Sequence, residues 1–488
     1  MLEMLIVSLT LGGKHVSRGG RRQCAKRMTE TGFREMNASA TPSGQTPAPS
    51  LSAGLVSLIR RKPIRPADLD IAALFTLDAV ANILAGRNSP PGEVLLAWWG
   101  AGASNAAPEP GRLAFLMGAL CHILETDDLH RESVVHPGCV VVPAAWALAE
   151  ARLADGKALL TAVLHGFEAA ARVGMAVGPA HYRIWHNTAT CGPYGSAMAA
   201  AALLGLSDEA AVHALGNAGS QSAGLWQFLE TGAMTKHLHA GHAAEAGVKA
   251  GELAAFGFTG PPRILEGEKG FFRAACPDAD PDAVLRGPDA PWQLTRTSIK
   301  PWPSCRHTHP AIDAAEELRA GFPAGSIIEE AIASVEVDTY QAALDVCDRP
   351  AATSDYEAKF SLQHAAAAAL LCPRVDFAAF GAEARARCAA LAARVHVRAA
   401  EPYSSAYPGA WGARVRLRLA DGGERQAERR NAKGDPEAPL TRGEMIEKAR
   451  MLLVHGGVAA PERIIEDILG LAEGGSLPGL ALANRSLV

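Results

Sequence analysis

Between Pro66 and Ala255 apolar residues return at helical spacing in run after run, and this restricts the stretch to helix-on-helix packing. The clearest run places Ile71, Leu74, Phe75, Leu77, Val80, Ile83 and Leu84 on a 3.6-residue period, with Asp68 as its expected cap and Gly86 as its stop. The same punctuation recurs at 111–123, 144–153, 154–173, 195–204, 208–218 and 240–255. Ala and Gly dominate these runs, and small side chains let helix axes approach closely. At 488 residues with 48% hydrophobic content the chain exceeds one core, so two domains are expected.

Strand alternation comes only later. Val335, Val337 and Thr339 alternate with Glu336 and Asp338. Val395 and Val397 alternate with His396 and Arg398, and Val415, Leu417 and Leu419 with Arg416 and Arg418 before an Asp421-Gly422-Gly423 turn. Helical stretches at 311–320 and 361–371 lie among them, and helical patterning returns at 442–454 and 461–471. The predicted fold is mainly α: a large all-helical domain over 51–292, a smaller inserted α+β domain over 293–434 that could cover a cleft, and C-terminal helices over 435–488 that rejoin the first domain. Residues 1–50, rich in Ser, Thr, Pro, Gly and Arg, read as a disordered tail. Their Met4-Leu5-Ile6-Val7 start is too short for a signal peptide, and Met28 or Met36 is an alternative start.

Charge removes whole classes of partner. A net charge of −4 without a long basic run implies neither nucleic acid nor an anionic membrane surface, and charged residues interrupt every apolar window, so no membrane span is expected. Nine cysteines without paired spacing suit free thiols in a reducing cytoplasm.

Three stretches carry chemistry. Within 181–242, Tyr182, His186, Lys236 and His239 gather an ammonium, a phenol and imidazoles in a chain otherwise built of Ala, Leu and Gly. A solvated helix face accounts for any one of them. As a group they could bind carboxylates, and neighbouring positive charge would lower the Lys236 pKa toward that of a usable base. Glu125, Asp127, Asp128 and His136 lie on a loop between two helices. Asp127 and Asp128 are adjacent and point apart, and no His pair at ligand spacing completes a metal site, so none is assigned. Lys300, Arg306, His307 and His309 sit in a Pro-rich junction where they offer cations to an anion, with Thr308 as the expected cap of the following helix. Cys305 is a nucleophile candidate or a packed thiol. No dinucleotide, Walker or serine-hydrolase motif is present in the sequence.

Glu125 to Gly138, Tyr182 to Gly195, Met234 to Gly241, Gly257-Phe258-Thr259-Gly260, Leu265-Glu266-Gly267 with Gly270-Phe271-Phe272, and Lys300 to Pro310 together resemble the MmgE/PrpD family, in matching order over about 55–475. That family includes 2-methylcitrate dehydratase, cis-aconitate decarboxylase and iminodisuccinate epimerase. The resemblance implies a helical domain with an α+β lid, a homodimer, and cofactor-free chemistry on a small di- or tricarboxylate. By resemblance His136, His186, Lys236, Lys300 and Tyr340 fall on active-site positions of the decarboxylase branch. Glu125 stands where that branch has an aspartate, Leu129 where it has a threonine, and Cys305 near its catalytic histidine, with His307 or His309 as substitutes; the segment from Asp127 to His136 is one residue longer. The expected reaction removes a proton next to a carboxylate, with Lys236 or His186 as base, Tyr340 or His136 as proton donor, and Lys300, Arg306 and Tyr182 as carboxylate anchors. The leading expectation is a 2-methylcitrate dehydratase-like lyase, with epimerisation and decarboxylation as alternatives. A dimeric scaffold is the non-enzyme alternative.

Overall fold

The structure, a computed structural model, describes residues 50–102, 108–323, 328–480 and 482. The tail expected over 1–50 lies outside the described residues, save Ser50. Its hydroxyl accepts from the Ala53 amide (3.2 Å) and starts a helix at Leu51–Arg61 that the periodicity did not reveal.

The apolar runs are helices. Pro66–Gly86, Pro110–Cys121, Gly138–Arg152, Gly156–Ala176, Asn187–Leu203, Asp208–Gly219 and Thr235–Ala255 share one hydrophobic core. Arg65, not Asp68, is the cap of the Pro66–Gly86 helix; Asp68 accepts instead from the Arg65 amide at 2.8 Å, within the first turn. At its centre the Asn187–Leu203 helix packs between Gly156–Ala176 and Thr235–Ala255. Small residues make that possible: a Cβ on Gly195 would lie 2.7 Å from the Gly166 carbonyl oxygen, and one on Gly247 2.2 Å from the Ser196 Cβ.

One sequence expectation is corrected here. The Pro66–Gly86 helix, with mean hydropathy 1.6, is long and apolar enough by length and composition to cross a bilayer. Its window is 83% buried inside the protein, and it serves as a core helix surrounded by others.

A second core gathers residues from 311 to 427 around a four-stranded sheet of order β2-β1-β3-β4, with β1 Ile332–Thr339, β2 Val395–Ala399, β3 Ala413–Leu419 and β4 Glu424–Arg429. β1 runs parallel to β2 and antiparallel to β3, and β3 to β4. Val335 and Val337 face inward opposite Leu417 and Val415, beneath the His309–Ala320 and Leu362–Leu371 helices. On the outer face Glu336 and Asp338 pair with Arg416 (2.5 Å) and Arg398 (2.6 Å), a cross-strand charge ladder. The Arg442–His455 and Pro461–Leu469 helices pack against Pro66–Gly86 and complete the first core.

Candidate active site

The loop from His122 to Pro137 is held to the start of the Asn187–Leu203 helix. The Asn187 side chain donates to the Ser133 carbonyl (2.8 Å), and the His136 amide to the Thr188 hydroxyl (3.1 Å), which brings His136 beside His186. His186 in turn donates its amide to the Gly224 carbonyl (3.0 Å). Gly224 has φ +140°, and a Cβ there would meet that of Ala189 at 2.4 Å, so this approach requires glycine.

Asp127 is the centre of the cluster. Its Oδ2 accepts from His122 Nδ1 at 2.6 Å, while His136 Nδ1 lies 3.1 Å from the same oxygen, off the line of a good hydrogen bond. Burial opposes a charge on Asp127, but His122 and His136 outweigh it and hold the carboxyl well below its ordinary range. Burial also pushes His122 down to about 3, against the pull of Asp127, so its imidazole is neutral. A carboxylate only accepts, so the neutral His122 turns Nδ1–H toward it and leaves Nε2 bare, while the His136 Nδ1 faces the same oxygen. The His122 Nε2 is buried without a partner; the His136 ring is partly open. His186 stacks over His122 (5.6 Å, 16°) and meets His239 Nδ1 to Nδ1 at 3.2 Å, a spacing that admits a single hydrogen between them. Burial drives His186 well below its ordinary range and His239 down to about 4.

Beside this lies a lysine-caged carboxylate. Glu125, the residue with φ +62°, is paired by its side chain with Lys236 and by its Oε2 with Lys300 Nζ at 3.7 Å; Lys300 also donates to the Glu125 carbonyl (3.1 Å). Burial disfavours all these charges, yet the lysines hold Glu125 far down and the carboxylates hold Lys236 above its ordinary value. This overturns the expectation of a Lys236 with lowered pKa: its strongest charged neighbour is an anion, and the adjacent imidazoles are neutral. Lys236 is a fixed ammonium.

The junction stretch divides in two. Arg306 is buried, ion-paired with Asp435 and bonded to His309 (2.8 Å), and His309 spends its other nitrogen on the Ser304 carbonyl (3.1 Å). Both were expected at the substrate; the Arg306 Nη donors and both His309 nitrogens are engaged in a structural knot, and the Arg306 Nε is buried without a partner. Thr308 likewise makes no side-chain cap and donates to the Cys305 carbonyl (2.8 Å). Cys305 and His307 are half-buried. Tyr340, just past β1, is fully buried, and its hydroxyl is engaged by His307 Nδ1 (2.7 Å), whose ring stacks on Trp411 (4.7 Å). Any proton passing through Tyr340 passes through His307. Cys305 is in the field of Glu125 and Lys300 on one side and of Tyr340 on the other. Tyr182, 40% exposed, packs edge-on against Trp226 at the rim. Leu129 packs in the second core instead of presenting a group to substrate.

Asp127 and Asp128 do point apart: Asp128 accepts from the Gly138 amide at 2.9 Å, at the start of the Gly138–Arg152 helix. His122, Asp127 and His136 form the one group among the described residues with donor atoms close enough for a metal, within 4.8 Å of one another. Reading the sequence for short ligand spacings missed it because His122 ends a helix and looks like core. The 2.6 Å His122–Asp127 contact is the length of a hydrogen bond, shorter than two ligands around one ion would stand.

The chain is similar to known proteins over most of its length. Residues 53–284 match the MmgE/PrpD N-terminal domain, and residues 302–471 the MmgE/PrpD C-terminal domain. The chain is similar to cis-aconitate decarboxylase of Aspergillus terreus (29% identical over 228 residues, 44% of this chain and 46% of the relative), to that of Homo sapiens (30% over 274 residues, 54% and 55%) and to that of Mus musculus (31% over 282 residues, 54% and 55%). The chain thus spans about half the length of the curated relatives it matches. With the family's two domains matched in order along most of its length, the chain belongs to the MmgE/PrpD family.

Proposed function

We propose that this chain is a lyase that acts on a small polycarboxylate without a cofactor, and that decarboxylation of a cis-aconitate-like unsaturated tricarboxylate is its reaction. The observation that carries the reading is the pairing of an Asp127-oriented imidazole, partly open at His136, with fixed ammonium charge at Lys236 and Lys300. Loss of CO2 from the CH2–carboxylate arm leaves its electron pair spread over the allylic framework as enolate-like charge, which the ammonium groups stabilise. His136, carrying a proton taken from solvent at Nε2, delivers it to the far carbon of that framework; the double bond shifts to the carbon that lost CO2, and the one proton the reaction consumes is accounted for. His186 orients through His239, and His307 with Tyr340 is the second proton-carrying pair. The decarboxylase relatives favour this outcome over dehydration of 2-methylcitrate, in which the same imidazole would act as base and which is the second reading.

The α+β part over 293–434 serves in this account as a lid, because Cys305 and His307 come from it. A homodimer is inferred with it: Ile184, Leu225, Leu229, Met234 and Leu238 expose large apolar side chains on the segments flanking His186 and Lys236. Sedimentation would show a dimer; a monomer at micromolar concentration would refute that part. For the reaction, the purified chain is incubated with cis-aconitate and with 2-methylcitrate and the products separated. Itaconate with CO2 supports the proposal, an alkene from 2-methylcitrate supports the second reading, and no product from either refutes both.

A further inference from the structure

Three successive carbonyls of the site loop each face a lysine ammonium from the C-terminal half of the chain. Lys359 Nζ lies 3.5 Å from the Leu124 oxygen, Lys300 Nζ 3.1 Å from that of Glu125, and Lys448 Nζ 2.7 Å from that of Thr126. Two of these cations are neutralised: Lys448 by Asp78 (2.5 Å) and Lys300 by Glu125 (3.7 Å). Lys359 has no carboxylate within ion-pair distance among the described residues. The ring of Phe377 covers one side of its ammonium (5.3 Å), and Leu124 occupies one of its three N–H donors.

Its surroundings are those of the cleft. The Lys359 carbonyl accepts from the Cys305 amide at 2.8 Å, and its ammonium is in the field of Glu125, of Asp355, which is itself paired with Arg385, and of Lys300. One turn earlier, on the short Asp355–Ala358 helix, Tyr356 stands 54% exposed, its ring against Phe360 (4.9 Å) and its phenol in the field of Glu125, Lys236 and Cys305. Around Glu125 stand Lys236, Lys300 and Lys359, with Asp127 also in the field of Lys236 and Asp355 in that of Lys359.

We propose that Lys359, assisted by Tyr356, is a substrate anchor that binds one carboxylate of a polycarboxylate and sets a preference for three carboxylates over two. The proposal rests on the reading of the cleft as a polycarboxylate site. Half-buried, the ammonium gains more from an anion than it would in water, and Phe377 leaves its remaining donors available. A lysine that only satisfied the Leu124 carbonyl would not discriminate between ligands by charge.

The test measures calorimetric binding of tricarballylate and of glutarate, two saturated, non-reacting acids that differ by the central carboxylate, alongside KM and kcat for cis-aconitate. Wild type should prefer tricarballylate. Lys359→Met should weaken tricarballylate by about tenfold or more, a charged hydrogen bond's worth, and raise KM alike, while glutarate and kcat change little. Lys359→Arg should restore most of the loss, and Tyr356→Phe should show a smaller one. Equal weakening of both acids, or of neither, in a Lys359→Met protein whose melting temperature matches wild type would overturn the anchor alone. Wild type that binds neither acid and converts no polycarboxylate would overturn the proposed function together with it.

Discussion

Replacing Asp127 by Asn probes the geometry most sharply, because it removes a charge while keeping the shape. In the native site one oxygen faces two Nδ1 atoms, at 2.6 Å from His122 and 3.1 Å from His136. An amide offers a single oxygen and an NH2. With that oxygen facing both rings it accepts from both as the carboxylate did, but it brings no negative charge. His122 is fully buried and neutral in either protein, so His136 is the ring that changes: without an anion beside its Nδ1 it no longer takes up at Nε2 the proton it delivers to carbon. Losing a positioned proton donor costs about 10²–10⁴ in kcat, or about 2.7–5.4 kcal/mol of barrier. The fold should persist, because the desolvation cost of the Asp127 charge vanishes with its charge-assisted hydrogen bonds. Steady-state decarboxylation with circular dichroism on Asp127→Asn reads both quantities. A folded variant with kcat within threefold of wild type would show that the Asp127 charge is irrelevant to the chemistry.

Lys236→Ala removes the ammonium that faces Glu125 and should lower kcat/KM by about a hundredfold or more; Glu125 keeps Lys300 as a partner, so the protein stays folded with a lowered melting temperature, as kinetics and thermal unfolding of the variant would show. Lys448→Met strands the Asp78 carboxylate and the Thr126 carbonyl, so urea unfolding should fall by about 3–5 kcal/mol; an unchanged midpoint would show that this ion pair does not brace the loop. Burial lowers His122 to about 3 and His130, His165, His239 and His307 to about 4, from an ordinary 6.5. The unfolded chain therefore binds protons that the folded one refuses. Stability is full above pH 6.5 and falls toward pH 4, by up to about 1.4 kcal/mol per pH unit for each such histidine, and a flat melting temperature between pH 7 and 4.5 would contradict this. Activity should also survive EDTA, whereas loss on chelation with recovery on adding zinc or manganese would assign the His122–Asp127–His136 group to a metal.

How far the sequence reaches depends on whether the relevant interaction is local. The helices were legible because Ile71 through Leu84, or the Ala and Gly between 187 and 255, repeat with the helical period regardless of neighbours. β4 was not, since Glu424, Arg425, Gln426, Glu428 and Arg429 form an edge strand with Ala427 as its single buried residue, and no apolar alternation marks it. The helix Ala382–Ala392 was hidden in the same way by Glu383, Arg385 and Arg387. In the site, His136, His186 and Lys236 stood out as reactive groups in an unreactive chain, and the structure brings them into one cluster. The sequence could not tell that Arg306 is paired with Asp435 while Lys359 has no carboxylate within ion-pair distance among the described residues, because both facts depend on contacts between distant segments. The same limit inverted the reading of Lys236, whose state is set by Glu125 and not by the histidines nearest to it in sequence.

Proton NMR of cis-aconitate turnover in D2O is the most direct test of the central claim, that this cleft moves a proton at carbon with its own side chains. Itaconate carrying deuterium at its saturated CH2, the far end of the allylic framework from the carbon that lost CO2, formed at equal rates with and without chelator and abolished in Asp127→Asn, is the predicted result. Protein that leaves cis-aconitate and the related polycarboxylates unlabelled and unconverted would contradict it.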